Sequence, residues 1–165
     1  MARPKWPIDG KTGLPIKPIR RLRSLKRRGD QMTLKDLLRW TLYHPHIRQA
    51  RDTIVTVKSH KKLKNGGYRF RTRTEFPLES KYHRSWVYFP KTIDEGIKIS
   101  RSKSILVSCD CSSFKYRAEM ALWYHGAAEV YWSNGQMPYI TNPRLVPTLC
   151  KHLYMDMKYI KKHRL

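Results

Sequence analysis

Three cysteines and one histidine stand in two short pairs far apart in the chain: Cys109 and Cys111 in "ILVSCDC", Cys150 and His152 in "PTLCKHL". Thiolate sulfur and imidazole nitrogen bind zinc tetrahedrally, and a structural zinc site uses four protein ligands so that no position is left for water. The two pairs supply that number and those atom types. A Cys-x-Cys pair at the end of an extended run can bend so that both sulfurs face one point. Cys150 and His152 straddle an expected helix start, where the positive end of the helix dipole favours thiolate. With no fourth cysteine, a closed disulfide framework is disfavoured, and a reducing compartment leaves the thiols available for a metal. Two other roles stay open for these residues. The cysteines can serve as small core hydrophobes beside an ordinary hydrogen-bonding histidine, or one pair such as Cys111 and Cys150 can form a disulfide.

The remaining side chains do not assemble a better site. His44 and His46 flank Pro45, while His60, His83, His125 and His163 stand alone and read as surface or cap residues. A two-metal nuclease needs convergent carboxylates and a hydrolase needs a nucleophile beside a base. The twelve acids are dispersed, and the one adjacent pair, Asp94 and Glu95, sits in the turn-like "IDEG". Phosphate-loop, nucleophile-elbow, zincin and zinc-deaminase motifs are all missing. The expectation is a protein that is not an enzyme and has no small-molecule substrate.

The elements that must position the four ligands read as a single α+β domain over 31–165. "TLKDLLRWTLYH" has Thr33 as N-cap, Asp36 near the positive helix end, and Leu34, Leu37, Leu38, Thr41 and Leu42 at helical spacing, which predicts a helix from 34 to about 43 ending at His44 before Pro45. "DTIVTVKS" (52–59) and "GYRFRTRTEF" (67–76) alternate bulky with polar residues around "NGG" and predict a hairpin. "SWVYFP" (85–90) and "SILVSCDC" (104–111) add two strands to a small antiparallel sheet. "SFKYRAEMALWYHG" reads as a helix capped by Ser112 or Ser113 and stopped at Gly126. "CKHLYMDMKYIKKHRL" reads as an amphipathic helix presenting Leu149, Leu153, Met157 and Ile160 on one face. Before this domain, residues 1–30 hold ten Lys and Arg, two Asp and four Pro without apolar periodicity. They read as an extended basic arm that cannot order by itself.

Cys-x-Cys, a spacer of 38 residues (112–149), then Cys-x-His leading into a helix resembles the SWIM-type zinc finger, a ββα module. The four ligand positions match residue by residue, and the long spacer implies an inserted helix and loop. The text "CDCSSFKYRAEMAL", "SNGQMPYITNP" and "LCKHL" is also similar to small SWIM-containing proteins encoded among the structural genes of tailed bacteriophages. The resemblance spans 105–153. It implies a zinc-stabilised virion component of the neck, tail or baseplate region, made in the host cytoplasm and repeated with other virion proteins in a symmetric ring or array.

Charge bears on the partner. Thirty-five Lys and Arg against twelve Asp and Glu give a net charge of +23 and a pI near 10.3, so a polyanion or an acidic protein surface must neutralise the chain. Arg20, Arg21, Arg23, Lys26, Arg27 and Arg28 of the arm are candidates for that contact. So are Lys58, Lys61, Lys62, Lys64, Arg69, Arg71 and Arg73 of the hairpin. In the alternative to a virion component, a nucleic-acid-binding module or ribosome-like assembly protein, the hairpin cations contact phosphates of DNA or RNA while Tyr68 and Phe70 stack on bases. The plainest reading of the same cations is a solvated face that guards a sheet edge. No run of apolar residues reaches membrane-spanning length, and "MARPKWPIDGKTG" lacks a signal-peptide core, so no membrane partner is expected.

Overall fold

Thr33 and Asp36 open the first helix by capping each other. In the computed structural model, which describes residues 32–42, 54–64, 67–75, 80–88, 99–102 and 104–165, α1 spans Leu34–Leu42. The Thr33 hydroxyl accepts from the Asp36 N–H (3.2 Å), and the Asp36 carboxylate accepts from the Thr33 N–H (3.0 Å). Two orphan donors are thus satisfied reciprocally. Leu34, Leu37 and Thr41 are buried, whereas Leu42, expected in the apolar stripe, is 45% exposed. Thr41 takes the core position, because its hydroxyl is needed there: it donates to the Leu37 carbonyl (2.7 Å) and accepts from the Leu149 N–H (2.9 Å), 108 positions away. That bond secures the chain immediately before Cys150. The arm residues Arg20, Arg21, Arg23, Lys26, Arg27 and Arg28, the histidines His44 and His46, and the Asp94–Glu95 turn lie outside the described residues.

Four strands form an antiparallel sheet in the order β1 (Ile54–Lys62), β2 (Tyr68–Glu75), β3 (Ser80–Tyr88), β4 (Leu106–Cys109). The α+β class and antiparallel sheet are as the sequence implies, with three shifts of boundary. β1 runs on through Lys62, with a bulge between Val57 and Ser59. β3 begins at Ser80 rather than 85. Its inward positions include His83 and Ser85 beside the cysteine site, so the apolar alternation that marks a strand is hidden. β4 stops at Cys109, since Asp110 turns out of the ladder. Where β1 and β2 join, Gly67 is required by space: a Cβ there would lie 2.6 Å from Cδ1 of Tyr88 and 2.9 Å from the Val87 carbonyl oxygen.

Burial along β2 alternates, with Phe70, Thr72 and Thr74 inside. The inner face is covered by the C-terminal helix α3 (Lys151–His163). Leu153, Met157 and Ile160 pack with Phe70, Val87 and Val107 in the main core, and Tyr159 meets the rings of His60 and Phe70. Leu149, expected on the helix, is buried two positions ahead of it; Cys150 is the extended N-cap. Between the cysteine pairs lies α2 (Glu119–Tyr124), preceded by a wide π turn over Phe114–Ala118 and closed at Gly126, whose φ is 73°. No serine caps it. The Cys111 sulfur accepts from the Phe114 N–H (3.4 Å) and the Cys111 carbonyl from the Lys115 N–H (3.0 Å), while Ser113 accepts from Arg117. Met120, Trp123, Val130 and Met137 give this segment a small core of its own. Among the described residues no helix is long and apolar enough to cross a membrane.

Candidate metal centre

The fold brings Cys109, Cys111, Cys150 and His152 together: one ligand atom from each lies within 4.8 Å of every other, and all four are buried. Metal bonds of about 2.0–2.3 Å in a tetrahedron set neighbouring ligand atoms about 3.5–3.8 Å apart, so the group closes on an ion by shifts of about 1 Å. Each ligand is placed by a different device. Cys109 is the last residue of β4, paired with Ser85. Cys111 follows a turn that Asp110 clamps to β3: the Asp110 carboxylate accepts the Arg84 N–H at 3.2 Å with both oxygens, and the Asp110 N–H returns to the Arg84 carbonyl at 3.1 Å. The residue between the cysteines therefore aims them. Cys150 and His152 come from the N-cap and first turn of α3, consistent with the expected helix start.

Imidazole orientation is set from behind. His152 Nε2 lies 2.6 Å from the hydroxyl of buried Thr74, and Nδ1 lies 3.9 Å from the Cys109 sulfur. A metal-ligating histidine commonly donates its second ring N–H to such a partner, which fixes the tautomer and the ring plane. Thr74 thus leaves Nδ1 as the ligand atom. Across the ring, His83 packs on His152 at a tilt of 40° with centroids 4.2 Å apart and contacts Asp110 Oδ1 at 3.0 Å. His83 therefore does not stand alone as expected, but buttresses the site. His125 matches the expected cap role, its Nε2 meeting the Leu145 carbonyl at 2.8 Å.

Charge at the cluster also suits a cation. Burial pushes the Cys109 and Cys150 thiols well up, whereas hydrogen bonds from Cys109 and Cys150 hold Cys111 far below the ordinary thiol range. Cation ligation needs deprotonated thiols, so a divalent ion bound here would displace protons from the buried cysteines. Three thiolates around such an ion leave one negative charge. Arg117 and Lys151 are placed to offset it: burial lowers the pKa of both, while the thiolates of Cys111 and Cys150 pull it back up. Arg117 reaches this position through the π turn, which buries it beside Phe114 and Ala118. The wide turn leaves two carbonyls for other donors: Tyr116 accepts from the Thr141 hydroxyl (2.9 Å) and Arg117 from the Asn142 amide (3.4 Å).

Asp156, fully buried one turn after His152, accepts from the Ser85 hydroxyl through Oδ2, and its Oδ1 has no hydrogen-bond partner. Burial raises its pKa to about 8.

The hairpin cations are placed unevenly. Lys58, Lys61, Lys62, Lys64, Arg69 and Arg71 are exposed, and Arg73 is half-buried. Tyr68 and Phe70 are not available to bases. Phe70 is fully buried, and Tyr68 packs against the same core beside His60. Both rings alternate with the arginines, so the core that draws in the rings sends Arg69, Arg71 and Arg73 to the opposite face. The groups that sequence reasoning missed, Thr74, His83, Asp110 and Arg117, carry no ligand motif. Asp110 alone had a signal, as the residue between two ligands.

No protein-family model, curated protein or solved structure matches the chain.

Proposed function

We propose that this chain is a zinc-stabilised structural protein that performs no catalysis and works by docking its basic surface onto a polyanionic or acidic partner. The observation that carries the reading is the buried Cys109, Cys111, Cys150 and His152 cluster. Three sulfurs and one nitrogen suit zinc, and four protein ligands leave no coordination position for a reacting water. The net charge of +23 supports the docking part. In its most specific form, supported by the SWIM-like ligand pattern and the basic arm, the protein is a component of a tailed-phage particle, repeated in a ring with other virion proteins. A second reading, a nucleic-acid-binding module, draws support from the outward face of the sheet.

Native mass measurement with and without chelator tests the reading. One zinc per chain and a defined ring of copies are the expected results. Cys150→Ser should lose the zinc and lower Tm by about 10 °C, as expected of an ion contributing a few kcal/mol at about 2–4 °C per kcal/mol for a chain of this size. A metal-free chain with an unchanged Tm in the variant would defeat the structural role.

A further inference from the structure

Cations and aromatic rings share the outward face of the sheet. Backbone pairing sets Arg69 opposite Trp86, Arg71 opposite Arg84 and Arg73 opposite Tyr82, and directly paired residues stand on one side of a sheet. Their neighbours Phe70, Thr72, Thr74, Ser85 and Val87 are buried against α3, so these six side chains project the other way. Arg69, Arg71 and Arg84 are exposed, as is Tyr82 at 48%. Glu75, in line with them on β2, is held 3.6 Å from Arg73, and the other arginines keep the face strongly positive.

The rings are held as platforms. The Arg71 guanidinium lies 4.3 Å from the centre of the Tyr82 ring, and that of Arg73 lies 5.9 Å away. Trp86 and Trp132 stack at 6.0 Å and 28°, and the Trp132 indole N–H donates to the Ser108 hydroxyl at 2.9 Å. We propose that this face binds single-stranded nucleic acid. Tyr82 and the Trp86–Trp132 pair stack on bases, while Arg69, Arg71 and Arg84 hold phosphates. The proposal rests on reading the chain as a docking module and is independent of the metal.

Spacing and chemistry favour this occupant. Tyr82 and Trp86 stand about 13 Å apart along β3 with Arg84 between them, so a strand lying along β3 meets ring, cation and ring in turn. The guanidinium over Tyr82 marks where a planar group stacks; a base takes that place as Arg71 moves to a phosphate. Duplex DNA hides its base faces in the stack, so the exposed rings would find no base to stack on in it. An acidic protein would match the arginines and leave the rings without a counterpart. Stacking on exposed rings beside a basic track is the general mode of single-strand binding.

Fluorescence anisotropy of the metal-loaded full chain at physiological salt tests the idea. The probes are labelled oligo(dT) or oligo(U) of about 15 nucleotides, a duplex of the same length, heparin and polyglutamate. Expected are quenching of tryptophan emission, binding of the single strand about tenfold tighter than the duplex, and a loss of about tenfold in Tyr82→Ala with heparin binding unchanged. Arg84→Ala should weaken all the nucleic-acid probes and heparin together. Metal content and circular dichroism of each variant confirm that it folds. Equal affinity for single strand, duplex and heparin with no effect of Tyr82→Ala would overturn the stacking site and leave the docking reading standing. Preference for polyglutamate would overturn the site in favour of a protein partner. Binding to none of these probes would remove both.

Discussion

Thr74 and His152 meet at 2.6 Å, hydroxyl oxygen to Nε2, across 78 positions of sequence. Neither residue is next to the other's motif, yet together they decide which imidazole nitrogen faces the three sulfurs. A threonine near the end of a basic strand thereby becomes part of the candidate metal site.

Thr74→Val should therefore weaken metal binding by about tenfold, the lower end of what loss of an outer hydrogen-bond partner costs. Competition against a chromogenic chelator measures it. Thr74→Ser restores the hydroxyl and should restore the affinity, whereas a purely packing role for Thr74 would give the opposite ranking of the two variants.

Asp156 should give stability a characteristic dependence on pH. Its folded pKa, about 8, lies above the ordinary 3.8. Between those values the unfolded chain has released a proton that the folded chain keeps. Stability is thus full below about pH 4 and falls as pH rises through 8, with a slope of up to about 1.4 kcal/mol per pH unit. Asp156→Asn keeps an acceptor for Ser85 and removes the titration. Urea melts of both proteins from pH 5 to 8.5 should show the variant gaining on the parent as pH rises. A constant difference would mean that Asp156 ionises normally in the fold.

Glu119 holds the loop after α2 by four contacts. Its carboxylate accepts from the Tyr131 N–H (2.8 Å), the Trp132 N–H (3.0 and 3.1 Å) and the Ser133 N–H (2.5 Å). Glu119→Gln turns a donor toward donors and should cost about 2–4 kcal/mol, with faster hydrogen exchange at these three amides. The metal stoichiometry should stay the same. Loss of metal together with the loop would show that the two units are not separable.

Legibility in the sequence followed how local each signal was. The Thr33–Asp36 cap, the Gly126 stop and the ligand pairs are short-range patterns, and each appears where the text of the chain puts it. β3 was half legible, because His83 and Ser85 occupy inward positions that a core would ordinarily fill with apolar residues. The alternation of Tyr68 and Phe70 with Arg69 and Arg71 revealed two faces without telling which was inside; packing against α3 decides it. Tyr82 and Trp86 gave no hint of sharing a face with those arginines, since only the register between β2 and β3 sets them opposite.

The 38 residues between the ligand pairs also have a consequence in time. At about 5–20 residues per second of synthesis, Cys109 and Cys111 wait about 2–8 s before Cys150 is even made. During that interval the first pair is a half-site, open to oxidants and to loosely held ions. The spacer's own core around Met120, Trp123, Val130 and Met137, with the Glu119 clamp, shortens the flexible loop that must then close. Less chain entropy opposes the meeting of the two halves, and the vulnerable thiols are withdrawn sooner than a structureless linker of equal length would allow.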